Sequence, residues 1–284
     1  MPVGDEERAL PRDLDDPVMV VAFAGWNDAG NAATGVVAHL EEQWETEPLV
    51  ELDPDAYYDF QVSRPHVLVD GEGIRQLDWP TIRARLVTEG GLPRDVVLVN
   101  GPEPNFRWRA FCAELTAIAV ELGISRIVML GALLADVPHT RPVPVTVSGT
   151  DDEQARALGL EWSRYEGPTG IVGVFQDAAL KRGLPVTTLW AAVPHYVAQS
   201  PCPKATLVLL RQVEDLLDVS VELGDLPEEA QAWQHGVEEL TAEDPEIAEY
   251  VKRLEQARDT TELPEASGEH IAREFERYLR RRTD

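Results

Sequence analysis

The sequence predicts an α/β fold, a largely parallel sheet covered by helices on both faces. Three observations predict it. Val18–Phe23, Val96–Val99, Ile127–Leu130 and Val186–Trp190 are β-branched-rich runs of strand length bounded by glycine or polar residues. Between them lie stretches with apolar residues at helical spacing, so strands and helices alternate from Val18 to about Val219. The runs are apolar without strict alternation, which suits strands buried on both faces.

Each helix has its own signature. Phe111, Leu115, Ile118, Ala119 and Leu122 make one stripe that ends at Gly123, a good residue just past a helix. Ile171, Val172, Phe175, Ala178 and Ala179 make a second, ending at Gly183. Leu207, Leu210, Val213 and Leu217 make a third, with Ser200 or Pro203 as its start. Residues 57–80 break the rhythm. Tyr57–Val62, His66–Val69 and Ile74–Leu77 alternate around Ser63-Arg64-Pro65 and Asp70-Gly71-Glu72-Gly73, which predicts an antiparallel excursion at the sheet edge. After Leu223 only short helices are expected. Asp244-Pro245 starts one with Ile247, Tyr250, Val251 and Leu254 on a stripe, and Ser267 starts another with Ile271, Phe275, Tyr278 and Leu279.

These patterns divide the 284 residues into a flexible N-terminal segment (1–17), an α/β core (18–222) and a C-terminal acidic helical appendage (223–284). The formal net charge is −26, which argues against nucleic acid and anionic membranes as partners. Residues 214–284 hold 21 acidic and 8 basic side chains, so half of that charge sits in a quarter of the chain. A solvated helical face explains it, and so does an acidic partner-docking surface. No apolar stretch approaches the ~18–20 residues that span a bilayer. Residues 1–17 carry six acids and no apolar run, so no signal peptide is expected. Two cysteines, Cys112 and Cys202, make neither a disulfide framework nor a metal site, which favours the cytoplasm. No metal and no cofactor are expected.

Chemistry in such a fold gathers at loops beyond the carboxyl ends of the strands. Five loops qualify. The first holds Gly25, Trp26, Asn27, Asp28 and Asn31, where Asp28 or Asn31 can cap the next helix and Trp26 can pack. The second holds Glu103, Asn105 and Arg107 between fixed prolines, with a Glu103–Arg107 ion pair as its simplest use. The third ends in His139, Thr140 and Arg141, where a histidine titrating near neutral pH can serve as acid, base or mere anchor. The fourth, with Glu166, Gly167, Thr169 and Gly170, opens an apolar helix but lacks the Lys-Ser or Lys-Thr of a phosphate loop. The fifth brings His195 and Tyr196 ahead of Cys202, whose place at a helix start would lower its thiol pKa and offer a Cys–His pair. No nucleophile elbow, zincin motif or dinucleotide fingerprint is present, and no catalytic residue is assigned.

Taken in order, Gly25-Trp26-Asn27-Asp28-Ala29-Gly30, Gly101-Pro102-Glu103-Pro104-Asn105, Gly131-Ala132-Leu133-Leu134, Gly167-Pro168-Thr169-Gly170 and Val193-Pro194-His195-Tyr196 resemble the proteasome assembly chaperone 2 family. The likeness spans about residues 18–219, and the acidic helices that follow match its actinobacterial branch. It implies a three-layer phosphorylase/hydrolase-like sheet flanked by helices, a cytosolic setting and self-assembly, with a trimer as one form. It also implies proteasome core subunits as partners and action through protein–protein contacts, without evident catalysis. Assembly factors of this kind often end in a hydrophobic-tyrosine-any tail. This chain ends Arg282-Thr283-Asp284, so docking by such a tail is not expected. The alternative is a binder or enzyme for a small polar metabolite, phosphorylase-like or ligase-like. Its pocket would be lined by Asn27, Asp28, Glu103, Asn105, Arg107, His139 and His195.

Overall fold

The structure is a computed structural model that describes residues 10, 13–71, 73–150, 153–197 and 200–262. Strand β1 (Val18–Ala24) opens the core and is followed by α1 (Ala32–Gln43), β2 (Thr46–Glu51) and the single turn α2 (Pro54–Tyr57). A small hairpin, β3 (His66–Val69) and β4 (Arg75–Asp78), precedes β5 (Arg83–Val87), β6 (Val96–Pro102) and α3 (Trp108–Glu121). Then come β7 (Arg126–Ala135), β8 (Val145–Gly149), α4 (Glu153–Ala157), β9 (Glu161–Trp162), α5 (Ile171–Lys181) and β10 (Val186–Pro194). Three helices close the described chain, α6 (Pro203–Leu217), α7 (Leu226–Glu243) and α8 (Pro245–Glu262).

Eight strands form one mixed sheet in the order β2-β5-β6-β1-β7-β10-β8-β9. Its centre, β6-β1-β7-β10, is parallel throughout, as the four apolar runs predicted. Side chains of β1 from Val18 to Phe23 are all buried, odd and even alike, because both faces carry helices. On one face α1 and α6 pack together over Val20, Leu98, Val128 and Leu189. On the other α3 and α5 cover Met19, Val21, Val97 and Met129. Three edges of the ladder are antiparallel, β2–β5, β5–β6 and β8–β10.

Local signals account for several of the helix ends. Gly123 and Gly183 stand past α3 and α5 at φ +67° and +76°, the left-handed geometry that ends a helix with least strain in glycine. Pro203 begins α6, with Cys202 rather than Ser200 at the boundary. Asp244 caps α8 by accepting from the N–H groups of Glu246 and Ile247 at 2.9 and 3.3 Å. The expected helix after Ser267 lies outside the described residues.

Three expectations need correction. Tyr57–Val62 is no strand. Asp53 caps a proline-started turn, and the Val62 and Ser63 amides then fold back to the Asp59 carbonyl. The β3–β4 hairpin is also a sheet of its own, not an added edge of the main one. Beyond residue 223 two helices of 18 residues stand where only short ones were expected. α7 buries Leu226, Ala230 and Val237 and packs on α6, and α8 packs on α7.

Candidate functional site

Parallel pairing brings the predicted loops to one end of the sheet. Phe23 and Ala24 of β1 lie beside Gly101 and Pro102 of β6, so the first and second loops leave together. The Glu103 amide donates to the Ala24 carbonyl at 2.8 Å. Its carboxylate turns back, accepting from the Trp26 amide at 3.2 Å and from Asn27 Nδ2 at 3.3 Å. On the far side the Ala132 amide donates to the Asn27 carbonyl at 2.8 Å, tying the loop to β7. Asn27 is buried and presses on Gly170 at the start of α5. A Cβ at Gly170 would stand 2.4 Å from Asn27 Nδ2, so the close approach requires glycine. The first and second loops, strand β7 and the start of α5 therefore meet at Asn27.

Asp28 is the cap of α1. Its Oδ1 accepts from the amides of Ala33 and Thr34 at 2.7 and 3.3 Å, and its other oxygen accepts from the Thr34 hydroxyl. Burial pushes its pKa up, against the pull of those hydrogen bonds. Asn31 takes a left-handed backbone at the boundary of α1 and makes no side-chain cap. It lines a groove of about 910 Å³ bounded by α1, β5 and the start of α7, with Glu41, Arg83, Arg85 and Asp225.

Asn105 and Arg107 leave this cluster. Asn105 Oδ1 accepts from the Asp59 amide at 2.7 Å and the Ser63 hydroxyl at 3.2 Å. The Arg107 guanidinium lies 5.8 Å from the centroid of the Tyr57 ring, and one nitrogen donates to the Ala56 carbonyl at 3.4 Å. The Glu103–Arg107 pair expected from sequence is replaced by these separate duties. Glu166 and Thr169 stand exposed on the fourth loop, and Trp26 is 68% exposed.

The third and fifth loops form a second cluster beside the first. β7 and β10 run paired to Ala135 and Pro194, and the His195 amide donates to the Ala135 carbonyl at 3.1 Å. Tyr196 Oη accepts from the His139 amide and lies 2.8 Å from His139 Nδ1. Oη has a proton to donate and lone pairs to accept with, so the direction of its bond to Nδ1 follows the imidazole tautomer. Nε2 is buried with no protein partner among the described residues. Burial lowers the pKa of His139, against the nearby Glu238 and Glu255 carboxylates, and raises that of Tyr196 to about 12. Both are neutral at ordinary pH.

The C-terminal helices hold this second cluster. Lys204 donates to the carbonyls of His139 and Arg141 and to Gln234 Oε1 of α7. Arg141 meets Asp259 of α8 through two hydrogen bonds of 2.8 Å and reaches Glu255 at 3.3 Å. Asp136 accepts from Tyr250 Oη at 3.0 Å and lies 3.1 Å from His195 Nδ1. The rings of His195, Tyr196 and Tyr250 stack edge to face. Sequence reasoning missed Asp136, Lys204, Tyr250, Glu255 and Asp259. Lys204 had a signal, being one of three lysines among 25 cations.

Cys202 is a correction. Its thiol is buried, and burial pushes its pKa up to about 11, so the helix start does not make it a thiolate. Its amide donates to the Gly30 carbonyl at 2.7 Å, which docks α6 on the first loop. Among the described residues no group of three His, Cys, Asp or Glu could hold a metal ion. None of the described helices is long and apolar enough to cross a membrane.

The fold that carries these loops recurs elsewhere. The model of the PAC2 family matches residues 22–241. The chain belongs to the PAC2 family. A PAC2 protein of Streptomyces avermitilis is 58% identical, with a TM-score of 0.77 over 83% of this chain and all of that one. A proteasome-assembly chaperone homologue of Mycobacterium tuberculosis is 54% identical, with a TM-score of 0.74 over 82% of this chain and 99% of that one. An archaeal proteasome activator from Pyrococcus furiosus shares the PAC2 fold at 15% identity, with a TM-score of 0.63 over 82% and 96% of the two chains. No curated protein matches.

Proposed function

We propose that this chain is a chaperone-like protein of proteasome assembly, acting in the cytoplasm through protein–protein contacts with proteasome core subunits and with copies of itself, without catalysis. The mycobacterial relative described as a proteasome-assembly chaperone homologue supports the role. One observation carries the mode of action. The polar side chains at the strand ends are spent on holding loops, while Trp26, Phe106, Leu133, Leu134 and Tyr165 stand exposed around the same end of the sheet. Apolar and aromatic side chains presented by rigid loops suit a protein partner better than a small polar ligand. In this reading the helices after residue 222 are an appendage that docks on the third and fifth loops. Co-purification with proteasome α and β subunits tests the role. Retention of the subunits and a faster assembly rate are expected, both reduced by Trp26→Ala. Absence of binding together with an unchanged assembly rate would sink it.

The groove of about 910 Å³ beside α1, which none of the seven residues expected to line a metabolite pocket reaches, favours a second reading, a binder or enzyme for a small polar metabolite. Glu41 there has its pKa raised by burial, against the nearby Arg85 and Arg83. A metabolite that raises the melting temperature of the native chain, but not of an Arg83→Ala variant, would support it.

A further inference from the structure

We infer that the β3–β4 hairpin is a self-association arm, with β3 pairing antiparallel to β3 of a second copy about a two-fold axis through Leu68. This rests on the self-association in the functional reading above and gives it a surface and a register. Val67, Leu68 and Val69 are 52%, 55% and 61% exposed, and Val62, Ile74 and Leu77 around them are exposed as well. Two four-residue strands that pair only with each other are marginal in water, and an apolar edge strand left open invites another strand.

Hydrogen-bond parity says which groups are on offer. The Asp70 amide donates to the Ile74 carbonyl, so in this register Leu68 and His66 direct their backbone groups towards β4. The N–H and C=O of Val67 and Val69 therefore point out of the hairpin along the β3 edge. A two-fold axis at Leu68 sets Val67 against Val69 of the other copy in a hydrogen-bonded pair, and Val69 against its Val67. Leu68 then meets Leu68, and His66 meets Asp70, all in the non-hydrogen-bonded positions where side chains come closest.

The stretch His66-Val67-Leu68-Val69-Asp70 is thus complementary to itself in side-chain polarity, apolarity and backbone parity. That complementarity selects a second copy as the occupant. Charge allows it too, because residues 62–79 hold two arginines against three acids in a chain of net charge −26. Two copies that meet here bring little net charge together. The result is a four-stranded sheet, β4-β3-β3-β4, closed by an isologous contact.

A cysteine on the axis reads the register directly. Cys112 and Cys202 are buried, so Leu68→Cys in the full chain adds the reactive thiol. Under mild oxidation L68C is expected to form a covalent dimer faster than Val62→Cys, an exposed control on the same arm but off the axis. Leu68→Lys, which sets like charges against each other, is expected to shift the native mass by light scattering towards the single chain. If the chain self-associates but L68C cross-links no faster than V62C, the arm contact is wrong while self-association stands. If the native chain is a monomer at every concentration, self-association falls with it, and subunit co-purification still tests the chaperone role.

Discussion

Arg141 grips Asp259 through two parallel hydrogen bonds, Nε to Oδ1 and Nη2 to Oδ2, both 2.8 Å long, across 118 residues of sequence. The fork-to-carboxylate match is the strongest geometry an exposed ion pair can take. It fastens α8, which among its described side chains has only Val251 in the buried core, to the loop after β7. Arg141→Ala is expected to speed hydrogen exchange in α8 while leaving β7 protected. The Arg141 hydrogen bonds hold the Asp259 carboxyl below its ordinary range. The clasp is therefore complete above the ordinary Asp pKa and lost as pH falls through the lower folded value. Equal exchange of α8 in wild type and variant would remove the clasp from the account.

His139 weakens the fold in the same direction of pH, by a different cause. Its folded pKa lies below the unfolded value of about 6.5, because burial penalises the cation. Above the unfolded value it costs nothing, and as pH falls below it the folded state loses ground. The wild type is expected to lose melting temperature between about pH 7 and pH 5, within the range where histidines titrate. His139→Gln is expected to lose less over that interval, and parallel curves for the two proteins would remove His139 as the cause.

Asp28 tests the first loop. Asp28→Ala removes the acceptor of two α1 amides and is expected to cost about 0.5–2 kcal/mol in chemical denaturation. Asp28→Asn keeps one oxygen for the cap and escapes the burial penalty on a carboxylate, so it is expected to cost less. The raised pKa adds a pH test, since the penalty is present above the folded pKa and relieved as pH falls through it. The gap between D28N and wild type should therefore vary across the carboxylate range and not near neutrality.

Gly170→Ala places a methyl group against the Asn27 side-chain amide, whose Nδ2 is held by Glu103 and whose backbone carbonyl is held by Ala132. Overpacking of this kind costs about 1–3 kcal/mol. The Trp26 loop should loosen with it, visible as faster amide exchange at Trp26. An alanine variant as stable as wild type would mean that the approach is softer than 2.4 Å implies.

The sheet centre was legible because its four strands are continuous apolar runs, and Gly123, Gly183 and Asp244 announced their helix ends through local chemistry. The antiparallel strands β2, β5 and β8 were not, since each is short, half-exposed and set by its neighbours. Tyr57–Val62 alternated like a strand, but Asp53-Pro54 and Asp59 had already committed the backbone to turns. For the site, sequence order showed which loops share an end of the sheet and not where their side chains turn. Asn105 and Arg107 are two to four residues from Glu103 and serve different elements. His139 and Tyr196 are 57 residues apart and share a hydrogen bond. Long-range pairing of this kind leaves no trace in spacing.

The docking of α8 on the third and fifth loops also sets a timetable for synthesis. His195 and Asp259 are separated by 64 residues. At about 5–20 residues per second, the ribosome needs about 3–13 seconds to make that stretch. For that interval Asp136, Arg141 and His195 are already made, with their helical cover still to come. A partner that engages the nascent chain thus meets Arg141 before Glu255 and Asp259 have taken it.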